Sequence, residues 1–272
     1  MLLALFMNLL SKLSDDATME EALEELASLR ADYAIQYSVR PFGYDTDDVI
    51  RLLKSIDDTN LSEREKEEKS RILIAVTNLI DFSVCEEYHL MQEVKKTIAL
   101  HEEADDEYDD YEEELIELND KYNSRYRETE DSDFEYAMVV CRKWLDWDSD
   151  VILTYMTQGD DRVRPWHAML EGFSAPKRDY PGWMIPPIEW GCRCYLVTES
   201  DVVVENRTAH DVAASVSVPE KPRELDDVFS ESICTGGKIV GESHPYFTVD
   251  EDDVAMLERI SDNIKRRYIN YG

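Results

Sequence analysis

The chain has 272 residues, 61 of them acidic and 29 basic, for a formal net charge of −32. At that length it can hide about three quarters of its unfolded surface, in one large domain or two modest ones. The charge repels phosphates and anionic lipid, which excludes the bulk surface as a grip for nucleic acid or membrane and points to a basic partner or to solubility at high local concentration. With 43% hydrophobic and 10% aromatic residues it is no disordered polyelectrolyte.

Met1 to Leu13 is the one membrane-like stretch. It is too short to span a bilayer and lacks the basic start of a signal peptide, so it reads as a first helix packed on the body or on a partner. From Thr18 to Tyr37, Leu23, Leu26, Leu29 and Tyr33 recur at helical spacing until Arg40-Pro41-Phe42-Gly43 breaks the pattern. A short helix is predicted from Asp47 to Ile56. A long one opens near Ser62 and runs towards Leu100, its apolar middle buried on most sides. Between Glu102 and Asp120 a greasy stripe of Tyr108, Tyr111, Leu115 and Leu118 runs through dense acids, which are expected to face water. A further helix is predicted from Ser132 to about Tyr155.

After Thr157 the pattern changes to a compact segment rich in Trp, Pro, Gly and Cys, reaching about Val197. The stretch from Glu199 to Arg223 reads as an extended connector. Thr248 to Glu251 offers a capping box for a final helix ending in Lys265-Arg266-Arg267, where cations suit the helix dipole. The predicted fold is thus mainly α: a helical body (1–156), a small α+β module (157–198) and an extended tail ending in a helix (199–272).

The five cysteines are an odd number in a helical chain, so a reducing compartment is expected. Cys85, Cys141 and Cys234 read as core fillers. His89, His101, His210 and His244 have no acid or nucleophile at a telling spacing. The five tryptophans are expected at the junction of body and module. No phosphate-binding Gly-rich loop or nucleophile elbow occurs.

The informative segment runs from Thr154 to Thr198. Gly159 permits a turn, and Pro165 suits the first turn of a short helix closed by Gly172, which would hold His167 rigidly. If extended, Arg162 and Arg164 share one face and can pair with Asp160 and Asp161, as a clasp or as a partner contact. Cys192 and Cys194 point the same way in a regular strand, with Gly191 supplying flexibility. With His167 they give three zinc donors, the fourth being Asp160, Asp161 or water. The alternative is two buried thiols and a hydrogen-bonded core histidine.

The ordered series T-x-G-D-D-R-V-R-x-x-H, then Gly172, W-x-x-P-P and W-G-C-R-C resembles the minor head proteins of tailed bacteriophages, typified by the Mu F protein. Thr157, Asp160, Arg162, Arg164, His167, Gly172, Pro186, Pro187, Gly191, Cys192, Arg193 and Cys194 fall on that motif. The Tyr180 to Trp183 spacing, the acidic body and the tail after Val197 depart from it. The resemblance implies a non-enzymatic component of the capsid interior, made in the host cytoplasm and associated with the portal and other internal head proteins, acting in head assembly or DNA packaging and delivery. It also allows an oligomer around the portal, without strong direct DNA binding and without a membrane. Some relatives carry toxin or nuclease-like domains, so the other reading is a packaged effector enzyme. About 75 residues follow Val197, with no catalytic constellation among them. A free metal-binding regulator fits the charge poorly.

Overall fold

The structure is a computed structural model and describes residues 1–12, 16–104, 107–198, 227–229 and 231–270. The predicted connector from 199 to 223 lies outside the described residues. The fold is mainly helical with one small sheet. Its helices are α1 (Leu2–Leu10), α2 (Asp16–Val39), α3 (Thr46–Lys54), α4 (Glu63–Glu103), α5 (Tyr108–Asp120), α6 (Arg127–Asp146), the single-turn α7 (Pro165–Ala168) and α8 (Val254–Tyr268). No helix among the described residues is long and apolar enough to cross a membrane.

Local chemistry sets the helix ends. α2 stops at a 3₁₀ turn containing Pro41, followed by Gly43 at φ 80°, a left-handed conformation that glycine adopts without strain. α4 opens with a capping box, the Ser62 hydroxyl accepting from the Glu65 N–H while the Glu65 carboxylate accepts from the Ser62 N–H at 2.7 Å. α3 opens with the same device between Asp45 and Asp48.

α2, α4 and α6 pack together as the centre of the body, with α1 on α2, α5 on α4, and α8 against α2, α3 and α4. The middle of α4 is buried on most sides, as its sequence implies: Ile72, Ala75, Val76, Leu79, Ile80 and Phe82 are all inaccessible. The stripe of α5 turns Tyr111 and Leu115 inward and leaves Tyr108 exposed.

A buried ionic cluster fixes these three helices in register. Arg30 of α2 has no solvent exposure and donates to Glu86 of α4 at 3.0 Å and to Glu130 and Asp131 of α6 at 2.6 and 2.9 Å. Glu87, also fully buried, accepts a long bond of 3.4 Å from Asn123. Only Arg127, 3.5 Å from Asp131, adds a further cation in reach of these acids among the described ion pairs. The cluster is short of positive charge, and protons make up part of the difference: burial pushes the Glu86, Glu130 and Asp131 carboxyls up and Glu87 to about 7.

Several sequence expectations change here. The helix predicted from Ser132 begins at Arg127, continuous with α5 through a π-helical segment, Lys121–Tyr126. Its first turns carry Glu130 and Asp131, which point inward to Arg30. The same helix ends at Asp146, not Tyr155, because Ile152–Met156 is a strand, β1. β1 is the central strand of an antiparallel sheet with β2 (Ser174–Pro176) and β3 (Tyr195–Thr198), pairing Leu153 with Ala175 and Tyr155 with Leu196. The boundary at 157 therefore falls inside the module, which reaches back to β1. The tail does not trail: Val228, Ile233, Cys234 and Val240 are buried, and Asn78 of α4 exchanges two hydrogen bonds with the Val240 backbone at 2.9 and 2.8 Å. The capping box at Thr248 is not formed, since α8 begins at Val254 with Asp253 preceding it. The Asp253 carboxylate instead accepts from the Tyr88 hydroxyl at 2.8 Å.

Removing the buried cation should be costly. Arg30→Met is expected to lower stability by about 3–5 kcal/mol in urea unfolding, because Glu86 and Glu130 lose their cation and Asp131 keeps only the longer contact to Arg127. Glu87→Gln should act oppositely and with pH. A carboxyl whose folded pKa is raised to about 7 is neutral at no cost below the unfolded value and opposes folding as pH rises through the folded one. The variant should match the wild type near pH 4.5 and gain up to about 3 kcal/mol by pH 8; a difference that does not change with pH would contradict this.

Candidate metal centre

The module is built as a return loop. Thr157, buried just after β1, donates its hydroxyl to Glu171 and accepts the Gly159 N–H at 3.2 Å. The Val163 N–H bonds the Asp160 carbonyl at 3.2 Å, so residues 160–163 form a turn and not the extended segment expected from Arg162-Val163-Arg164. Pro165 then starts α7, which carries His167, and Gly172 at φ 84° sends the chain into β2. After the cis Pro186–Pro187 bond the chain comes back past Glu189 and Trp190, and Gly191 at φ 68° turns Cys192 and Cys194 towards His167.

His167 and both thiols converge. The His167 Nδ1 lies 3.3 Å from the Cys194 Sγ and 3.8 Å from the Cys192 Sγ, and the three donor atoms lie within 4.8 Å of one another. All three residues are almost inaccessible, at 2–3% exposure. Hydrogen bonding to the Cys192 thiol, aided by the nearby Tyr155 hydroxyl, holds Cys194 down to about 7 against the opposing effect of burial. The Cys192 thiol is correspondingly raised by its bond to Cys194. The Tyr155 hydroxyl itself is buried without a well-formed hydrogen bond.

Glu189 holds the far side of the ring. Its carboxylate sits 3.2 Å from the His167 Nε2, 2.9 Å from the Arg164 Nε and 3.2 Å from the Trp166 indole N–H. With Nε2–H donating to Glu189, Nδ1 keeps its lone pair, which can accept from a thiol or ligate a metal. Sequence reasoning missed Glu189, although it is the only acid between Asp179 and Glu199.

Arg162 and Arg164 were expected beside Asp160, Asp161 or nearby backbone carbonyls, and for Arg164 the carbonyl partner is found. Arg193, not Arg162 or Arg164, clasps Asp160, in two parallel bonds of 2.9 and 2.7 Å. Arg164 adds to its Glu189 pair a bond of 2.6 Å to the Trp190 carbonyl. The Arg162 side chain lines a cleft of about 910 Å3 between α6 and the motif. Asp160 is thus committed to Arg193, and neither it nor Asp161 belongs to the cluster of donor atoms. That removes both as the fourth zinc ligand and leaves water or the Tyr155 hydroxyl.

Hydrogen bonds and ring packing seat this clip on the body. The Gly191 N–H donates to Asp133 of α6 at 2.6 Å, and burial pushes that carboxyl up to about 7. The Trp190 ring packs against Phe229, Phe134 and Phe82 at centroid distances of 5.0, 6.0 and 6.4 Å. The Tyr136 hydroxyl of α6 donates to the Cys194 carbonyl. Trp144 likewise packs at the junction, edge-on to Tyr180. Away from the site, Cys141 and Cys234 are buried and Cys85 half-buried, all free. His101, given no partner from sequence, lies 3.0 Å from Glu114 and stacks on Tyr111.

Ligands around a tetrahedral zinc with bonds of 2.0–2.3 Å stand about 3.3–3.8 Å apart, the range in which the two nitrogen–sulfur distances here fall. A carboxylate on the distal ring nitrogen is the usual support for a metal-binding imidazole. The residues present therefore fit a structural metal. The order Cys194, His167, Glu189 also matches a nucleophile, its base and an orienting acid. A cavity of about 20 Å3, room for one water, adjoins His167 and Cys194, while Cys192 also lines the cleft of about 910 Å3 beside α6.

The chain matches no protein-family model, no curated protein and no solved structure.

Replacing Cys192 and Cys194 together by Ser is expected to lower the melting temperature by at least 2–4 °C, the shift of about 1 kcal/mol in a chain of this size. Amide exchange should accelerate in residues 157–198 while the middle of α4 keeps its protection. Unchanged exchange in the module would show that the three side chains do not close it.

Proposed function

We propose that this chain is a structural minor head protein of a tailed bacteriophage, lodged in the capsid interior beside the portal and acting in head assembly or in DNA packaging and delivery. The observation that carries the reading is the ordered motif from Thr157 to Cys194, whose His167, Cys192 and Cys194 meet in one buried cluster. Zinc held by His167 Nδ1 and the two thiolates would staple the return of the loop; a structural ion of this kind contributes folding energy and no turnover. The helical body then meets the portal or a neighbouring internal protein. α1 supports this by presenting Met1, Leu3 and Met7 to solvent on the side away from its buried Leu2, Phe6 and Leu9. The net charge of −32 leaves little counterion release to drive binding to duplex DNA.

The second reading, a packaged effector enzyme, draws on the Cys194–His167–Glu189 line. Fast alkylation of Cys194 by iodoacetamide at pH 7 in the folded chain would favour it, since a buried stapled thiol reacts slowly.

Peptide mass spectrometry of purified DNA-filled particles should find the chain at a fixed ratio to the portal, and co-expression with the portal should give a complex at physiological salt. Particles lacking the chain, together with no such complex, would overturn the proposal. Duplex DNA should not bind appreciably at the same salt.

A further inference from the structure

The small sheet leaves one edge open beside the cleft along α6. Among the described residues β3 pairs with β1 alone. Tyr155 of β1 spends both backbone groups on the β2 side, its N–H on the Phe173 carbonyl at 2.8 Å and its carbonyl on the Gly172 N–H at 2.9 Å. Leu196 stands opposite Tyr155 in the β1–β3 pair. Antiparallel pairs alternate between bonded and non-bonded, so the Leu196 N–H and C=O point away from β1. Two residues earlier on that edge, the Cys194 carbonyl accepts from the Tyr136 hydroxyl of α6, so the edge looks towards α6. Neither backbone group of Leu196 has a hydrogen bond among the described residues, and Leu196 lines the cleft of about 910 Å3.

The opposite wall is a stripe of α6. Glu128, Ser132, Tyr136, Val139 and Lys143 recur at spacings of three and four and line the cleft over about 22 Å of helix. Seven residues of extended chain cover that length at about 3.3 Å each. The charges along it are unusual for a chain of net charge −32. Arg193 is committed to Asp160, but the exposed side chains of Arg162 and Lys143 form no ion pair among the described residues. Asp160 lies near Arg162, yet both its oxygens are held by the Arg193 fork. Of the two acids in the lining, Asp133 accepts the Gly191 N–H, and Glu128 stands at the opposite end of the stripe from Lys143.

An open strand edge facing a groove takes an extended peptide by strand addition, in which backbone bonds give affinity and the groove walls choose the side chains. We propose that this cleft docks an extended acidic segment of a partner protein. The segment adds to the free edge of β3 at Leu196, sets one carboxylate at Arg162 and another at Lys143, and lays an apolar side chain between them on Val139 and Val140 of α6. A basic segment would bring like charges together at both cations and is selected against. The inference does not rest on the head-protein reading, since it uses only the sheet edge and the cleft.

The test pans a library of random octapeptides against the whole chain and measures the enriched peptides by calorimetry. They should carry two acids about four to six positions apart with an apolar residue between. Arg162→Glu combined with Lys143→Glu, both exposed changes, should weaken them by about tenfold or more, since two attractions become repulsions. Arg51→Glu combined with Lys66→Glu makes the same charge change outside the cleft and should leave affinity within about threefold. N-methylation along the peptide should find a position that costs about threefold or more, the loss of one backbone bond. Binding should also slow exchange of the Leu196 amide. No enrichment, enrichment of basic peptides, equal loss in the two double variants, or an unaltered Leu196 amide would overturn the proposal. Self-association of the peptide-free chain, abolished by Arg162→Glu with Lys143→Glu, would overturn it too, because the occupant would then be a second copy.

Discussion

Arg30 lies without solvent exposure among Glu86, Glu130 and Asp131, and that arrangement constrains everything built on the three central helices. Desolvating a guanidinium and several carboxylates is expensive, and the expense is recovered only when every donor meets its acceptor. α2, α4 and α6 therefore have little freedom to slide or rotate against one another. Three turns' worth of apolar contacts would tolerate small shifts; a three-way ionic junction does not. This is the use for which buried ionic groups are best attested, the fixing of register more than the raising of stability.

The register reaches the module through α6. Two residues after Asp131, Asp133 receives the Gly191 N–H, and on the next turn Tyr136 donates to the Cys194 carbonyl. Phe134, between them, meets Trp190. The helix face that Arg30 orients is thus continuous with the face that seats the clip. The proposed head role gains a physical basis from this continuity: a strain applied to the body at a partner interface would be felt at the residues that close the module.

The long helices were legible because their apolar periodicity is undisturbed: Leu23, Leu26 and the run from Ile72 to Phe82 are buried as their spacing implies. So was the meeting of His167 with Cys192 and Cys194, since a proline-rich excursion between fixed ends has to return. What stayed hidden involves charged residues with distant partners. Nothing local marks Glu130 and Asp131, which face a cation 100 and 101 residues away, so the helix start at Arg127 carried no local signal. Asp160 found Arg193 and not Arg162, and the 160–163 turn replaces the extended segment from which that pairing was expected. β1 was hidden for another reason: Ile152 to Met156 is too short a run for period 2 and period 3.6 to be told apart without knowledge of its sheet partners.

The central proposal is a closed clip that a metal would staple through His167, Cys192 and Cys194. Zinc K-edge X-ray absorption on the purified full chain tests it most directly. The predicted spectrum has about one zinc per chain with two sulfur neighbours near 2.3 Å and one imidazole nitrogen near 2.0–2.1 Å. A protein that stays metal-free when zinc is supplied, or that binds zinc through oxygen and nitrogen alone, would contradict it.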